Sequence, residues 1–294
     1  MKKNNFNYPV GVIDVGSNSV RLMVTDGIFC KKNLITTRLG SGFLSDGSLS
    51  TEAMLVTVKA INELKNLALE NGANKIYAFA TAAVRNAKNQ MDFVSRVKDV
   101  CKLQLDVVSG ELEAELAVKG ALKNQKGIVI DIGGASSEIA VSSGEKILYY
   151  RSYKVGAVTL FKGYERREKD ICDYLDTIIE NSSEFDYSVV KGVGGTLTSL
   201  AVISLGLKEY NPSIVNGHYI SIKELNSIKD YLYSVTPKDL SKTYAVDEKR
   251  AEIIAGGASI LLKLLSNYKL GGVTVSESDN LEGYLEYIKG KYEE

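Results

Sequence analysis

The chain has 294 residues, with Lys and Arg totalling 36 against 36 Asp and Glu, and one histidine. That length supports one large or two ordinary domains, and the balanced charge gives no global field that would advertise nucleic acid or an anionic membrane. Three scattered cysteines, Cys30, Cys101 and Cys172, form no CxxC pair, so neither a zinc knuckle nor a disulfide framework is implied.

With His218 as the single histidine, a Ser-His-Asp array stays open, but any mechanism needing two histidines is excluded. His218 itself reads as structural. Metal chemistry must rest on carboxylates and hydroxyls, which suits Mg²⁺ better than Zn²⁺. No apolar run approaches the roughly 18 residues that span a bilayer. The opening MKKNNFNYPVGVIDV reaches Asp14 too soon for a signal peptide. The expected location is cytoplasmic.

In chain order, Val10–Val15 and Val20–Thr25 read as strands joined by a Gly-Ser-Asn-Ser turn, with a third strand over Asn33–Leu39. Met54, Leu55, Val58, Ile61, Leu64 and Leu67 have helical spacing between Ser50/Thr51 and Gly72. A strand (75–81), a helix (86–101), a short strand (105–108) and a helix (111–123) follow. From Gly127 the pattern restarts with strands at Ile128–Ile132, Glu138–Val141 and Lys146–Tyr153. Then come a helix around Arg166–Asn181, a strand Ser188–Val193 and a helix opening in GGTLTSLAVIS. Helices near Ser221–Tyr233 and Asp247–Ser266, a strand GVTVS and a helix Asn280–Lys289 complete the chain.

The two openings align without a gap: Ile13, Asp14, Gly16, Ser19 and Val24 fall on Ile130, Asp131, Gly133, Ser136 and Val141. Duplicated α/β halves favour two domains facing a cleft. The expected division is 1–124 and 125–280, with the last helix, about 281–294, packing back on the first domain. A turn of Gly, Ser and Asn presents N–H groups and hydroxyls with little steric cover, a nest suited to phosphate oxygens. Ser17, Asn18, Ser19, Gly133, Gly134 and Ser136 are the candidate phosphate donors. Asp14 and Asp131, just before the turns, could each reach a cation bridging those oxygens. Tight hairpin turns use the same residue types, but two such turns, each preceded by an aspartate, favour the phosphate reading. The copies also differ in charge, with Arg21 standing opposite Glu138 in the alignment.

A third Gly-rich turn, Gly192–Thr196, leads from a strand into a helix, and bare helix N–H groups attract anions. Gly194, Gly195 and Thr196 are its candidate phosphate contacts, although taken alone the turn serves helix–strand packing equally well. The spacing is neither a dinucleotide fingerprint nor a P-loop.

Together these stretches resemble the actin-like ATPase superfamily and, within it, the exopolyphosphatase/guanosine pentaphosphate phosphohydrolase family in its short two-domain form. The resemblance rests on VIDVGSNSVRL, GSGFLSDGSLS, FATAAVRNAKNQMDF, VVSGELEAEL, VIDIGGASSEIAV, KVGAVTL, GVGGTLTSLA and KRAEIIAGGASILLKLL, in order through nearly the whole chain. It implies an α/β fold of two duplicated actin-like (ribonuclease H-like) domains flanking an interdomain cleft. It implies hydrolysis of terminal phosphate from polyphosphate or guanosine pentaphosphate, and with the latter a place in the stringent response. The glutamate before alanine in the family's SGxEEA segment is Glu113 here, which the resemblance makes the general base. Arg85, ending ATAAVR, matches an arginine facing substrate phosphates. Asp14, Asp131 and Glu138 match acids of a Mg²⁺ site, with Mn²⁺ as an alternative. No nucleic-acid or membrane partner is expected, and a homodimer is one assembly open to it.

Two local departures from the family pattern stand out: Ala135 replaces a frequent third glycine of the second turn, and Glu282 replaces a frequent arginine. The histidine-containing extra domain of long members has no counterpart in this sequence. A non-catalytic polyphosphate or nucleotide sensor and, less strongly, an actin-fold small-molecule kinase remain as competing readings.

Overall fold

A computed structural model describes residues 8–180, 185 and 187–293. Its elements are β1 (Val10–Val15), β2 (Ser19–Thr25), β3 (Cys30–Thr36), α1 (Thr51–Glu70), β4 (Lys75–Ala80), α2 (Ala82–Arg85), α3 (Gln90–Cys101), β5 (Leu105–Val107) and α4 (Gly110–Leu122). The second series is β6 (Gly127–Ile132), β7 (Ser137–Ser142), β8 (Ile147–Tyr153), α5 (Ala157–Tyr164), α6 (Glu168–Ile178), β9 (Val190–Val193) and α7 (Gly195–Ser204). It closes with α8 (Pro212–Val215), β10 (Tyr219–Ser221), α9 (Ile222–Ser234), α10 (Pro237–Thr243), α11 (Glu248–Asn267), β11 (Gly272–Val275) and α12 (Asn280–Glu293).

The chain divides into two compact units, Met1–Leu116 with Asn280–Glu294, and Ala117–Asp279. It passes from the first to the second inside α4. Leu116 still packs in the first unit's core with Leu281 and Tyr284, whereas Leu122 lies against Gly127 of the second.

Both units carry a mixed sheet with the same central order, five-stranded in the first and six-stranded in the second. The first runs β3-β2-β1-β4-β5 and the second β10-β11-β9-β6-β7-β8. In each, the first three strands are antiparallel neighbours and the fourth lies parallel to the first. This repeated order, with helices between parallel strands, is the duplicated ribonuclease H-like α/β fold expected from the sequence.

The central strands are buried on both faces, so they read as continuous apolar runs rather than alternating ones. In β1, Ile13 and Val15 face α1 and α3 through Met54, Val58, Ile61, Phe93 and Val97. Val10 and Val12 face Leu116, Leu281, Tyr284 and Leu285. Helix α1 starts where Ser50 accepts a bond from the Ala53 N–H at 3.2 Å and stops at Gly72, whose φ of +85° suits glycine alone. Among the described residues no helix is long and apolar enough to cross a membrane.

Differences from the sequence expectation concern short elements. β3 begins at Cys30 rather than Asn33, and Leu39 belongs to a 3₁₀ turn, Leu39–Gly42. Helices α2, α5, α8 and α10 and strand β10 were not expected, because three to eight residues are too few to show a period. The helix expected to reach Asn181 ends at Ile178, and Asn181 lies outside the described residues. Helix α3 starts at Gln90 because the preceding Asn89 is committed elsewhere: its amide donates to Leu49 O at 2.9 Å and accepts from Leu49 N at 2.8 Å.

Candidate active site

In the first unit, Asp14 is the penultimate residue of β1 and pairs across the strand with Arg21. The Arg21 Nε donates to Asp14 Oδ2 at 3.0 Å, and its Nη2 bonds the same oxygen. Asp14 is buried and Arg21 only partly exposed, so this carboxylate already carries a counter-ion. The turn that follows is closed by Gly16 N–H to Ser19 O at 3.0 Å. Its outer carbonyls are tied down: Asn18 O accepts from Thr37 and Arg38 N–H at 3.0 and 2.9 Å, and Ser17 O from Gly40 N–H at 2.7 Å.

Ser17, Asn18 and Ser19 are all buried. The Asn18 Nδ2 donates to Ser19 Oγ at 3.1 Å, while its Oδ1 is buried without a hydrogen-bond partner. Rotating that amide would exchange the orphan acceptor for a donor. Either way one polar atom of Asn18 is left over for a ligand.

Glu113 sits in the first turn of α4, which Ser109 caps by accepting from Leu112 N–H at 3.1 Å. Glu111 and Glu115 point to solvent while Glu113 is buried, as a helical step of about 100° per residue requires. Arg85, the last residue of α2, donates from Nη1 to Glu113 Oε2 at 2.6 Å and to Val108 O at 3.1 Å. Burial pushes the Glu113 carboxyl above the usual range; Arg85 opposes that shift, Asp14 adds to it by like charge, and a Thr81 hydrogen bond opposes it.

In the second unit, Asp131 on β6 stands directly opposite Glu138 on β7. Cross-strand partners project to one face of the sheet, and like charges there are unfavourable without a cation or proton. Glu138 Oε1 accepts from Ser152 Oγ of β8 at 2.8 Å. The following turn repeats the first: Gly133 N–H bonds Ser136 O at 3.0 Å. Its carbonyls are held by the start of α5, where Gly133 O accepts from Ala157 N–H and Gly134 O from Val158 and Thr159 N–H. Ala135 does not require the left-handed backbone, so alanine in place of glycine carries no strain there.

The third Gly-rich turn packs against this pair. Gly194 has φ +87°, and a Cβ there would fall 2.7 Å from Asp131 Oδ1. Beside it a Cβ on Gly195 would fall 2.5 Å from Arg250 Nη2, and Thr196 Oγ1 donates to Ile132 O at 3.1 Å. Gly194→Ala is expected to cost about 1–3 kcal/mol through backbone strain and to displace the Asp131 carboxylate. Denaturant unfolding measures the first effect, and retention of native stability would contradict the fit.

Thus the first unit gathers Asp14, Ser17, Asn18, Ser19, Arg85 and Glu113, and the second gathers Asp131, Gly133, Gly134, Ser136, Glu138, Gly194, Gly195 and Thr196. Sequence reasoning missed Arg250, which lies in the quoted stretch KRAEII but meets Gly195 only through long-range packing. The two departures are accommodated in their own ways, Glu282 by an ion pair with Lys32 at 2.6 Å. His218 Nε2 lies 2.7 Å from Ser204 Oγ, whose hydroxyl also reaches Glu224, tying the end of α7 to α9.

As to a metal, no group of three or more His, Cys, Asp or Glu is arranged to hold one among the described residues. Asp131 and Glu138 nevertheless fit Mg²⁺, which commonly takes one or two carboxylates and completes its shell with water and substrate phosphate. Asp14 fits less well, because Arg21 already neutralises it.

Residues 28–287 match the model of the Ppx/GppA phosphatase family. A bifunctional 3-dehydroquinate synthase/phosphatase of Fusobacterium nucleatum is 27% identical over 98% of the chain and 48% of that protein, so the chain spans about half its length. Exopolyphosphatase 2 of Mycobacterium tuberculosis is 25% identical over 93% of the chain and 96% of its own length. The crystal structure of the Aquifex aeolicus Ppx/GppA family member superposes with a TM-score of 0.77 at 27% identity, covering 97% of this chain and 98% of that one. With the family model covering most of the sequence, the chain belongs to the Ppx/GppA phosphatase family.

Proposed function

We propose that the protein hydrolyses a terminal phosphoanhydride bond of polyphosphate or guanosine pentaphosphate, with Glu113 activating the attacking water. The observation that carries the reading is the buried Glu113 carboxylate, held by Arg85 at 2.6 Å and made more basic by burial. A general base is most effective when its pKa lies near the working pH, and an exposed glutamate at its ordinary value would be a weaker one.

In this mechanism Glu113 takes a proton from water as the oxygen attacks phosphorus. Arg85 orients the carboxylate and, being partly exposed, offers its remaining N–H groups to the terminal phosphate. Ser17, Asn18 and Ser19 in one turn, and Gly133, Gly134 and Ser136 in the other, supply donors to phosphate oxygens, with Gly194, Gly195 and Thr196 beside the second. Asp131 and Glu138 would hold Mg²⁺, which when bound neutralises phosphate charge and polarises the bond that breaks. Asp14, paired with Arg21, acts instead as a fixed negative charge that keeps Glu113 basic.

The test is phosphate release from the purified protein with Mg²⁺, offering polyphosphates of several lengths and guanosine pentaphosphate. Release without any acceptor supports hydrolysis. Phosphate transfer that requires a second substrate would establish a kinase, and binding without turnover a sensor.

A further inference from the structure

We propose that Ser152 is a positioning residue for the cation site, its hydroxyl holding the Glu138 carboxylate ready for the ion it would share with Asp131. This rests on Asp131 and Glu138 holding Mg²⁺, and it goes beyond that reading by assigning the group that orients one of them.

Strand register sets the three side chains in one row. Asp131 of β6 lies directly across from Glu138 of β7, and Glu138 directly across from Ser152 of β8. Partners in register project to the same face with Cβ atoms about 4.5–5.5 Å apart, close enough for a side chain as short as serine to reach its neighbour. The Ser152 Oγ donates to Glu138 Oε1 at 2.8 Å, the usual length of an O–H···O bond. The residues beside this row turn the other way: Ile130, Ile139 and Tyr153 belong to the core of the second unit.

The backbone that carries Ser152 is pinned through that opposite face. Tyr153 is buried, with its hydroxyl 2.9 Å from that of Tyr268. The Arg151 guanidinium lies over the Tyr153 ring, 5.0 Å from its centroid. Ser137, the cross-strand partner of Tyr153, donates from Oγ to Val155 O at 2.7 Å. Anchors on both sides of Ser152 thus fix the strand, and the hydroxyl is presented by a rigid element before any ion binds.

The duplicated sheet supplies the comparison. The corresponding row of the first unit is Asp14, Arg21 and Leu34. There the middle residue bonds the aspartate unaided, and the third place holds a half-exposed leucine with no bonding group. In the second unit the middle residue is an acid, which cannot bond an ionised Asp131, and the third place holds a donor. Strand preference does not explain the serine, since strands favour β-branched and aromatic residues, as Ile147, Tyr149, Tyr150 and Tyr153 of the same strand show. The donor stands in the copy that needs its glutamate oriented. One bond to Oε1 fixes the plane of the carboxylate, so less of its freedom remains to be lost when an ion binds.

The test is a Mg²⁺ titration of Ser152→Ala, Ser152→Thr and Glu138→Gln, read by thermal melting of the substrate-free protein and by phosphate release. Ser152→Ala is expected to raise the half-maximal Mg²⁺ concentration about 10–100-fold in both readouts, the range typical of a lost outer-shell partner. Ser152→Thr keeps the hydroxyl and should recover most of the shift. In the Glu138→Gln background Ser152→Ala should have little further effect, because the carboxylate it positions is gone. A native Mg²⁺ midpoint in Ser152→Ala, with that of Glu138→Gln displaced, overturns the positioning role and leaves the carboxylate pair as the ion site. If Glu138→Gln itself responds to Mg²⁺ as the native protein does, the ion reading fails first and this proposal with it. A shift in Ser152→Ala that Thr does not restore and that persists undiminished in the Gln background would assign Ser152 to the fold of β8 instead. A lowered melting temperature of Ser152→Ala in EDTA identifies that case.

Discussion

Replacing Glu113 with Gln should lower kcat for phosphate release by about 10²–10⁴-fold, the range typical of a lost general base, with KM little altered. The substitution preserves shape and leaves Arg85 an amide oxygen to bond, so the phosphate-binding groups stay in place. A KM that rose in proportion would instead make Glu113 a binding group. The same change should act on stability with the opposite sign. Burial holds the Glu113 pKa above its ordinary value of 4.5, so the folded state binds its proton more tightly than the unfolded chain. The favourable term is complete below 4.5 and is lost as pH rises through the raised folded value. Gln, which cannot ionise, escapes that loss. Glu113→Gln should therefore melt above the native protein at neutral and higher pH, with the gap closing as pH falls toward 4.5. For the native enzyme the acid limb of kcat/KM should lie above the range of an ordinary glutamate, because only the ionised carboxylate accepts the proton.

The second large effect is expected at Asp131 and Glu138. Asp131→Asn and Glu138→Gln should each lower kcat about 10²–10³-fold, as the loss of one preorganised electrostatic group typically does, and should raise the Mg²⁺ concentration needed for half-maximal activity. Their effect on the metal-free protein should be small and favourable, because two carboxylates directly opposed on neighbouring strands repel one another. Melting curves with and without Mg²⁺ separate the cases: the native protein gains stability from the ion, and the variants gain less. Equal Mg²⁺ stabilisation of native and variant proteins would remove the cation from this pair.

Much of this was legible because the elements that matter are long or repeated. The gapless match of Ile13–Val24 to Ile130–Val141 foretold two sheets whose turns close with the same Gly N–H to Ser O bond at 3.0 Å. Helix α1 was readable from its apolar spacing and Ser50 cap. Other features escaped for physical reasons. Four residues of α2 cannot display periodicity, yet they carry Arg85 to Glu113. Glu113 could be singled out from Glu111 and Glu115 only by resemblance, since the rotation of α4 that buries one and exposes two depends on the strands beneath it. Arg250 over Gly195 likewise follows from packing of α11 that no local spacing encodes.

Arg21 and Glu138 hold corresponding places in the duplicated sheets, and the difference bears on how each half of the molecule comes apart. The first unit carries its counter-ion within the polypeptide, so its acidic strand end is complete once the chain is folded. The second instead sets Asp131 directly across from a second carboxylate, Glu138. A divalent ion bound at Asp131 and Glu138 would be a folding ligand, expected to add about 2.7 kcal/mol at a hundred times its dissociation constant to that unit. Depletion of that ion would then lower the unfolding temperature of the second unit alone, turning a single cooperative transition into two.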